Sequence, residues 1–385
     1  MNSQVSVQIG EHVSKVQTWS PAREAPDQLF NYIDIGSVSQ TTKSIIPNGS
    51  ILGSDAPSRA RQLIQAGDVL VSTVRPNLNA VAYVGDEMDG ATASTGFCVL
   101  RPQSEKLDGR YLYHWVMTSQ FVEEMVRQAT GQSYPAVSDK IVKSSLIPLP
   151  PLDKQKRIAG ILDQADALRR LRAQALDKLS TLGHAIFHEM FGDPYSNPKE
   201  FERRKLGEII KFIGGSQPPK STFLYEPGVD RVRFVQIRDF RTDEFRTYVP
   251  KELAKRPFVK DDVLIGRYGP PVFQILRGLA GTYNVALMKA EPMQGVTNDF
   301  VFYLLQEPKL HSYVVANSER TAGQSGVNLK LLNEYPAYLP PSDLLRDFSQ
   351  CLNAHFETKS AATAHLENAK QLFASLQQRA FRGEL

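Results

Sequence analysis

Ile147-Pro148-Leu149-Pro150-Pro151-Leu152-Asp153-Lys154-Gln155-Lys156-Arg157-Ile158 is the stretch that decides how this chain of 385 residues is built. Two successive prolines fix φ and remove amide donors, so Pro150-Pro151 makes a stiff entry into the next segment. That segment carries apolar residues at Ile158, Ile161, Leu162, Ala165, Leu168, Leu171, Ala175, Leu176, Leu179, Leu182 and Ile186, with Lys, Arg, Asp and Gln between them. The spacing predicts one amphipathic helix from Leu152 to Phe191, roughly 60 Å long at about 1.5 Å per residue and stopped by Gly192-Asp193-Pro194. The join recurs as Tyr338-Leu339-Pro340-Pro341, and Leu344, Phe348, Leu352, Phe356, Leu366, Ala369, Leu372, Phe373, Leu376 and Phe381 form a second stripe of matching length. Two such stripes can satisfy one another. An antiparallel coiled coil is expected, because the segment between them carries the chain from the end of one helix to the start of the other. Its contacts are expected at Ile158, Ile161, Leu162, Leu168, Leu179, Leu182, Phe348, Leu352, Leu372, Leu376 and Phe381; the alternative is two helices each lying on its own domain.

Working outward, the second half overlays the first at an offset of about 190 to 202 residues, the kind of internal repeat that must be sought before any fold assignment. Ile9-Gly10-Glu11 leads to Trp19-Ser20-Pro21 as Leu206-Gly207-Glu208 leads to Ser216-Gln217-Pro218. Tyr32-Ile33-Asp34-Ile35 matches Phe234-Val235-Gln236-Ile237, and Gly67-Asp68-Val69-Leu70-Val71 matches Asp261-Asp262-Val263-Leu264-Ile265. These alternating or β-branched runs read as strands, followed by Pro76 and Pro270. Gly131-Gln132-Ser133 and Gly323-Gln324-Ser325 complete the series. The expected fold is therefore α+β: two tandem mixed α/β domains over residues 1–149 and 193–339, separated by long helical regions over 150–192 and 340–385, with a pseudo-twofold internal repeat.

Few chemistries survive a search for their signatures. There is no GxxxxGK[ST] loop, no GxGxxG after a strand, and no HExxH or GxSxG. His184 and His188 stand four apart but lack a third metal ligand, so they read as polar positions on a solvated or partner-facing helix. Asp261-Asp262 reads as a turn, since its counterpart is Gly67-Asp68, and Gly214-Gly215-Ser216 reads as a turn rather than a phosphate cradle. Cys98 and Cys351 form no CxxC pair, the N-terminus shows no secretory pattern, and no run of roughly 18 apolar residues could span a bilayer. A cytoplasmic protein without catalytic residues, cofactor or metal is expected.

The net charge of +4 permits a nucleic-acid partner without demanding one. Locally, residues 201–258 hold five more Lys and Arg than Asp and Glu. Duplex DNA is held by cations on its phosphates and read by Arg, Asn, Gln and Lys on base edges. The candidates are Arg59, Arg61, Arg75, Asn77, Asn79, Gln132, Ser133 and Tyr134 in the first half. Those in the second are Arg233, Arg238, Arg241, Arg267, Tyr268, Gln324, Ser325 and Lys330. Two reading heads joined by a rod imply a split site whose unread gap is set by rod length.

The proline joins, the Gly-Asp-Val-Leu strand, the Gly-Gln pairs and the closing Leu376-Gln377-Gln378-Arg379-Ala380-Phe381-Arg382-Gly383-Glu384-Leu385 resemble the specificity subunit of type I restriction-modification systems over essentially the whole chain. The resemblance implies two target-recognition domains on double-stranded DNA, and helical regions that bind two methyltransferase subunits. Those subunits hold S-adenosylmethionine, and an ATP-driven restriction subunit completes the complex. The first domain departs from the pattern in lacking a basic run near its start. Two other readings stay open: a single-chain methyltransferase or nuclease, and a helical adaptor for protein partners.

Overall fold

A computed structural model describes residues 5–269, 271–293, 295–321 and 324–385, without the side chains of residues 319–321, 324 and 325. It divides into two compact units, Met1–Ala175 with Thr363–Leu385, and Leu176–Ala362. The division falls inside both long helices, Leu152–Phe191 and Ser342–Phe381.

In the first unit, Ser6–Gln8 pairs antiparallel with Leu146–Pro148. One four-stranded sheet runs Val13–Ser14, Phe97–Pro102, Val69–Ser72, Val81–Tyr83; the other runs Ser50–Leu52, Leu29–Ile33, Thr92–Ser94, Ala60–Leu63. In the second unit, Glu202–Lys205 pairs with Pro336–Leu339. Its four-stranded sheets run Ile210–Gly214, Leu287–Pro292, Val263–Gly266, Gln274–Leu276, and Tyr248–Pro250, Arg231–Val235, Gly281–Tyr283, Pro257–Phe258. Connectivity agrees strand by strand, down to a parallel pair in each: Tyr32 and Ile33 beside Thr92 and Ala93, and Phe234 and Val235 beside Thr282 and Tyr283.

Three short helices come next in each unit: Gly109–Val116, Ser119–Gln128 and Asp139–Ser144 in the first, Asn298–Leu305, Pro308–Ala316 and Leu329–Glu334 in the second. Side chains of Asp108, Thr118, Ser138, Thr297 and Asn328 accept amides at their starts, satisfying donors that a helix cannot satisfy internally.

The proline join is locked by Gln155, which is fully buried. Its Oε1 accepts the Asp108 amide at 2.9 Å, and its Nε2 donates to the carbonyls of Lys106 at 3.0 Å and Pro150 at 2.8 Å. The first helix thus begins at a fixed angle, and it ends where Gly192, at φ 71°, takes the left-handed conformation. Within the first unit, Ile158, Ala159 and Leu162 share a core with Tyr111, Trp115 and Val116. Phe373, Leu376 and Phe381 of the second long helix pack on that core, the Phe381 ring 5.0 Å from Trp115 and 5.1 Å from Tyr111. Within the second unit, Phe187 and Phe191 join Phe300, Tyr303, Tyr338, Phe348 and Leu352.

Between these anchored ends the stripes are less covered than their spacing suggests. Ile161 and Leu179 are half-buried, while Leu168, Leu171, Leu182 and Leu372 stand exposed, Leu171 at 62%. Burial is greatest where aromatic side chains of the domain back the helix, and the intervening leucines lack that backing. Of the two histidines read as polar positions on a solvated or partner-facing helix, His188 is exposed, with Nε2 3.2 Å from Glu307 Oε1, whereas His184 is half-buried and edge-on to Tyr303 at 4.9 Å.

Gly160 and Gly183 lie on the same helix in opposite circumstances. A Cβ at Gly160 meets open space, whereas one at Gly183 would collide with the hydroxyl of Tyr303, itself wedged among Phe187, His184 and Phe348. Gly160→Ala is expected to stabilise the protein by about 0.5–1 kcal/mol through helix propensity, and Gly183→Ala to destabilise it by about 1–2 kcal/mol through overpacking. Thermal unfolding of the two variants checks the opposite signs.

Candidate nucleic-acid interface

In the first unit the buried strand Val69–Ser72 is entered through Asp68. Its carboxylate accepts the Gln65 amide at 2.8 Å and holds Arg101 by two bonds of 2.9 and 2.7 Å, so Asp68 is a turn and ion-pair residue. Beyond the strand the chain is stitched to the loop after the second short helix. Val137 donates to Thr73 at 2.9 Å, Arg75 donates to Pro135 at 2.7 Å, and Val74 bridges Ala136. Thr130 and Ala136 exchange two bonds of 3.0 and 2.9 Å that pinch the base of that second loop.

This pairing gathers Arg75, Asn77, Gln132, Ser133 and Tyr134, all exposed, into one loop cluster. Arg75 and Asn79 have φ of 50° and 46°, and the Arg75 guanidinium lies over the Tyr134 ring at 4.7 Å. Asn79 is half-buried, its amide 3.5 Å from the Met117 carbonyl. Arg61 lies on the other sheet and Arg59 in the turn ahead of it, and among the described residues no hydrogen bond or ring contact ties their side chains to this cluster; Arg61 Nε instead donates to Ser58 at 2.9 Å.

In the second unit Asp262 accepts the Val259 amide at 2.8 Å, as expected of a turn residue ahead of Val263–Gly266. Arg267 donates to Ala286 at 2.8 Å and accepts from Val327 at 3.1 Å, and Tyr268 bridges Gly326. The Arg267 guanidinium lies over the Tyr268 ring at 5.1 Å. Gln324 and Ser325 belong to a short strand, Gln324–Gly326, paired with Glu319–Thr321, but their side chains fall outside the described residues, as does Gly323. Lys330 is exposed on the short helix Leu329–Glu334.

The remaining arginines sort by partner. Arg233 and Arg246 share Asp243, and their hydrogen bonds hold its carboxyl down at about 2. Arg241 Nη2 donates to Gln274 at 2.8 Å. Arg238 lies over Phe245 at 5.3 Å, and these two line a cavity of about 360 Å³ with Tyr225, Arg246 and Tyr248. Phe245 was not among the expected contacts, although the run Arg238-Asp239-Phe240-Arg241-Thr242-Asp243-Glu244-Phe245-Arg246 interleaves cations with aromatics. Among the described residues no group of three or more His, Cys, Asp or Glu is placed to hold a metal ion, and no helix is long and apolar enough to cross a membrane.

Residues 23–181 match the family model described as type I restriction modification DNA specificity domain. The MjaX specificity subunit of Methanocaldococcus jannaschii is 24% identical over 92% of this chain and 88% of its own length. A structure described as the basis of complex assembly and conformational transition of the type I R-M system aligns over 99% of this chain and 98% of that one, at 28% identity and a TM-score of 0.62. Over nearly its whole length the chain is similar to type I specificity subunits.

Similarity to other specificity subunits is more partial. The HindI specificity subunit of Haemophilus influenzae is 24% identical over 46% of this chain, a match that spans 41% of that subunit. The type I S subunit of M. genitalium, at 14% identity and a TM-score of 0.60, shares the fold. The family model covers the loop cluster around Arg75 and Tyr134, the first proline join and the first thirty residues of the long helix after it.

Asp68 is fully buried and Arg101 largely so, so Asp68→Ala leaves a guanidinium without its anion at the entry to the strand Val69–Ser72. The expected cost is about 3 kcal/mol, larger than that of Asp243→Ala on the surface, where solvent screens the ion pairs. Denaturant unfolding of the two variants measures the difference.

Proposed function

We propose that this chain is the sequence-reading, non-catalytic subunit of a cytoplasmic type I restriction-modification complex, recognising a bipartite site in double-stranded DNA. The observation that carries the proposal is a similar construction in each unit: a buried strand ends in a loop stitched to a second loop, and an arginine of the first loop lies on a tyrosine face, Arg75 on Tyr134 of the second loop and Arg267 on its own neighbour Tyr268. A stacked guanidinium keeps its N–H edge free, which suits bidentate reading of guanine in a major groove. Two such heads, residues 1–149 and 193–339, would be related by a pseudo-twofold internal repeat. The helical regions 150–192 and 340–385 would form the antiparallel rod between them.

The exposed leucines of those helices, Leu168, Leu171, Leu182 and Leu372, offer apolar surface of the kind a partner covers. Two methyltransferase subunits are the partners proposed there, with restriction subunits joining through them. This chain would choose the site, and the partners would supply S-adenosylmethionine and the chemistry.

Co-expression with its methyltransferase subunit, followed by sequencing of methylated DNA, tests the proposal. The parent should give a motif of two short specified blocks around an unread gap. Arg75→Ala should relax a position in one block and Arg267→Ala a position in the other, each by about 5- to 100-fold in discrimination, the worth of one good base contact. A continuous motif, or relaxation of both blocks by either change, contradicts two independent heads.

A further inference from the structure

Lys43 lies half-buried in the first unit, beside the reading loop and against the first long helix. Its ammonium donates to the Asn79 carbonyl, and its own carbonyl accepts from the Tyr113 hydroxyl at 2.8 Å. That hydroxyl accepts from Arg170 Nη2 at 3.0 Å. Arg170 and Arg169 share one carboxylate, Asp166, through bonds of 2.6 to 2.9 Å. Three cations therefore gather around Asp166, and the only other carboxylate acting on them among the described residues is Asp163, which feels the Arg170 charge and is itself bound to His114. Among the described residues no carboxylate lies within ion-pair reach of Lys43.

Such a surplus is costly, because a partly buried charge without a counter-charge is poorly solvated and repels its neighbours. Burial, with the Arg169 charge beside it, brings the Lys43 ammonium down to about 8. The backbone adds a second cost: Lys43 has φ 54°, in a left-handed conformation that side-chain-bearing residues rarely adopt. Arg169 is steadied in turn by the Phe373 ring, 5.7 Å from its guanidinium carbon. A strained group of cations with fewer carboxylates than charges is completed by an anion, and the nearest candidate surface is the loop Arg75–Asn79 that Lys43 itself ties down.

We propose that Lys43, Arg169 and Arg170 form a seat for one phosphodiester of the DNA backbone beside the loop Arg75–Asn79. The inference rests on the DNA-reading role above and adds a contact, borne partly by the long helix, that carries no sequence information. Such a seat fixes register while Arg75 reads.

A sequence-independent contact is measurable without knowing the target. The full chain is titrated with a duplex of about 40 base pairs of arbitrary sequence between about 50 and 200 mM NaCl. The double variant Lys43→Gln/Arg169→Gln should lower the slope of log Kobs on log salt by about 0.9, one phosphate's worth, while Lys43→Arg retains it. An unchanged slope in a folded double variant overturns the seat and leaves the reading role intact; failure of the parent chain to bind any duplex removes both. An unchanged slope combined with lost assembly with the methyltransferase subunit assigns the cluster to an acidic protein face, and also overturns the seat.

Should the double variant not fold, the parent chain alone still decides. A phosphate raises the Lys43 pKa against the opposing effects of burial and Arg169, with Arg170, Asp166, Asp163, Arg110, His114 and the Tyr113 hydroxyl the other charged or titratable groups facing the cluster. Calorimetry in buffers of different ionisation heat should then show proton uptake on duplex binding that grows from about pH 7 to about pH 8.5. Absence of that rise overturns the proposal.

Discussion

A strand buried along its whole length cannot run out into water without placing the backbone groups beyond its end, and that requirement shapes both candidate reading sites. Val69–Ser72 and Val263–Gly266 are buried at every position. Buried amides and carbonyls must be paired. Thr73 and Arg75 meet this need on the loop containing Pro135 and Val137, and Arg267 meets it on Ala286 and Val327. The loops that leave the sheet are consequently fixed by backbone bonds before any ligand arrives. Side chains on such a framework lose little freedom on binding, which favours affinity and, more strongly, a single register.

The arginines of the second unit divide by what holds them. Arg233 and Arg246 spend donors on Asp243, and Arg241 on Gln274. Arg238 and Arg267, like Arg75 in the first unit, are held instead by the faces of Phe245, Tyr268 and Tyr134. An aromatic face attracts the cation without occupying its N–H groups, so it orients a guanidinium while leaving the hydrogen-bonding edge available. A carboxylate both orients and consumes. Stacked arginines therefore suit base edges, and ion-paired ones suit the scaffold or the rim, although a count of basic residues treats all of them alike.

That difference marks where the sequence was readable. The long helices, their proline entries and the glycine stop at Gly192 follow from local stereochemistry, and the buried strands follow from β-branched runs after Gly67-Asp68 and Asp261-Asp262; all are present in the structure. The loop cluster was half legible. Arg75, Gln132 and Tyr134 are sixty residues apart at most, yet only the Val137 and Arg75 backbone bonds bring them together, and no residue type announces those bonds. Left-handed Arg75, Asn79 and Lys43 are invisible to a search that expects glycine at such positions. The stripe residues were chosen by period alone, which locates a face but does not say which part of it a domain covers; hence Ile158 is buried and Leu168 exposed on the same helix.

The two units also differ in how a short helix meets the first long helix. In the first unit the contact is polar: His114, wholly buried, meets Asp163 at 2.8 Å, and Tyr113 links Lys43 to Arg170. In the second it is mainly apolar, with His188 and Glu307 at its side: Tyr303 lies over Gly183 and against Phe187, where the absence of a side chain lets a ring approach the helix backbone. An apolar, close contact is set by shape and responds little to solution conditions, whereas a polar chain with surplus cations responds to anions, salt and proton concentration. Identical strand order therefore does not make the units interchangeable. In the first a bound anion would alter the balance of charges between loop and helix, whereas in the second ring packing dominates, with His188 and Glu307 a polar contact at its side.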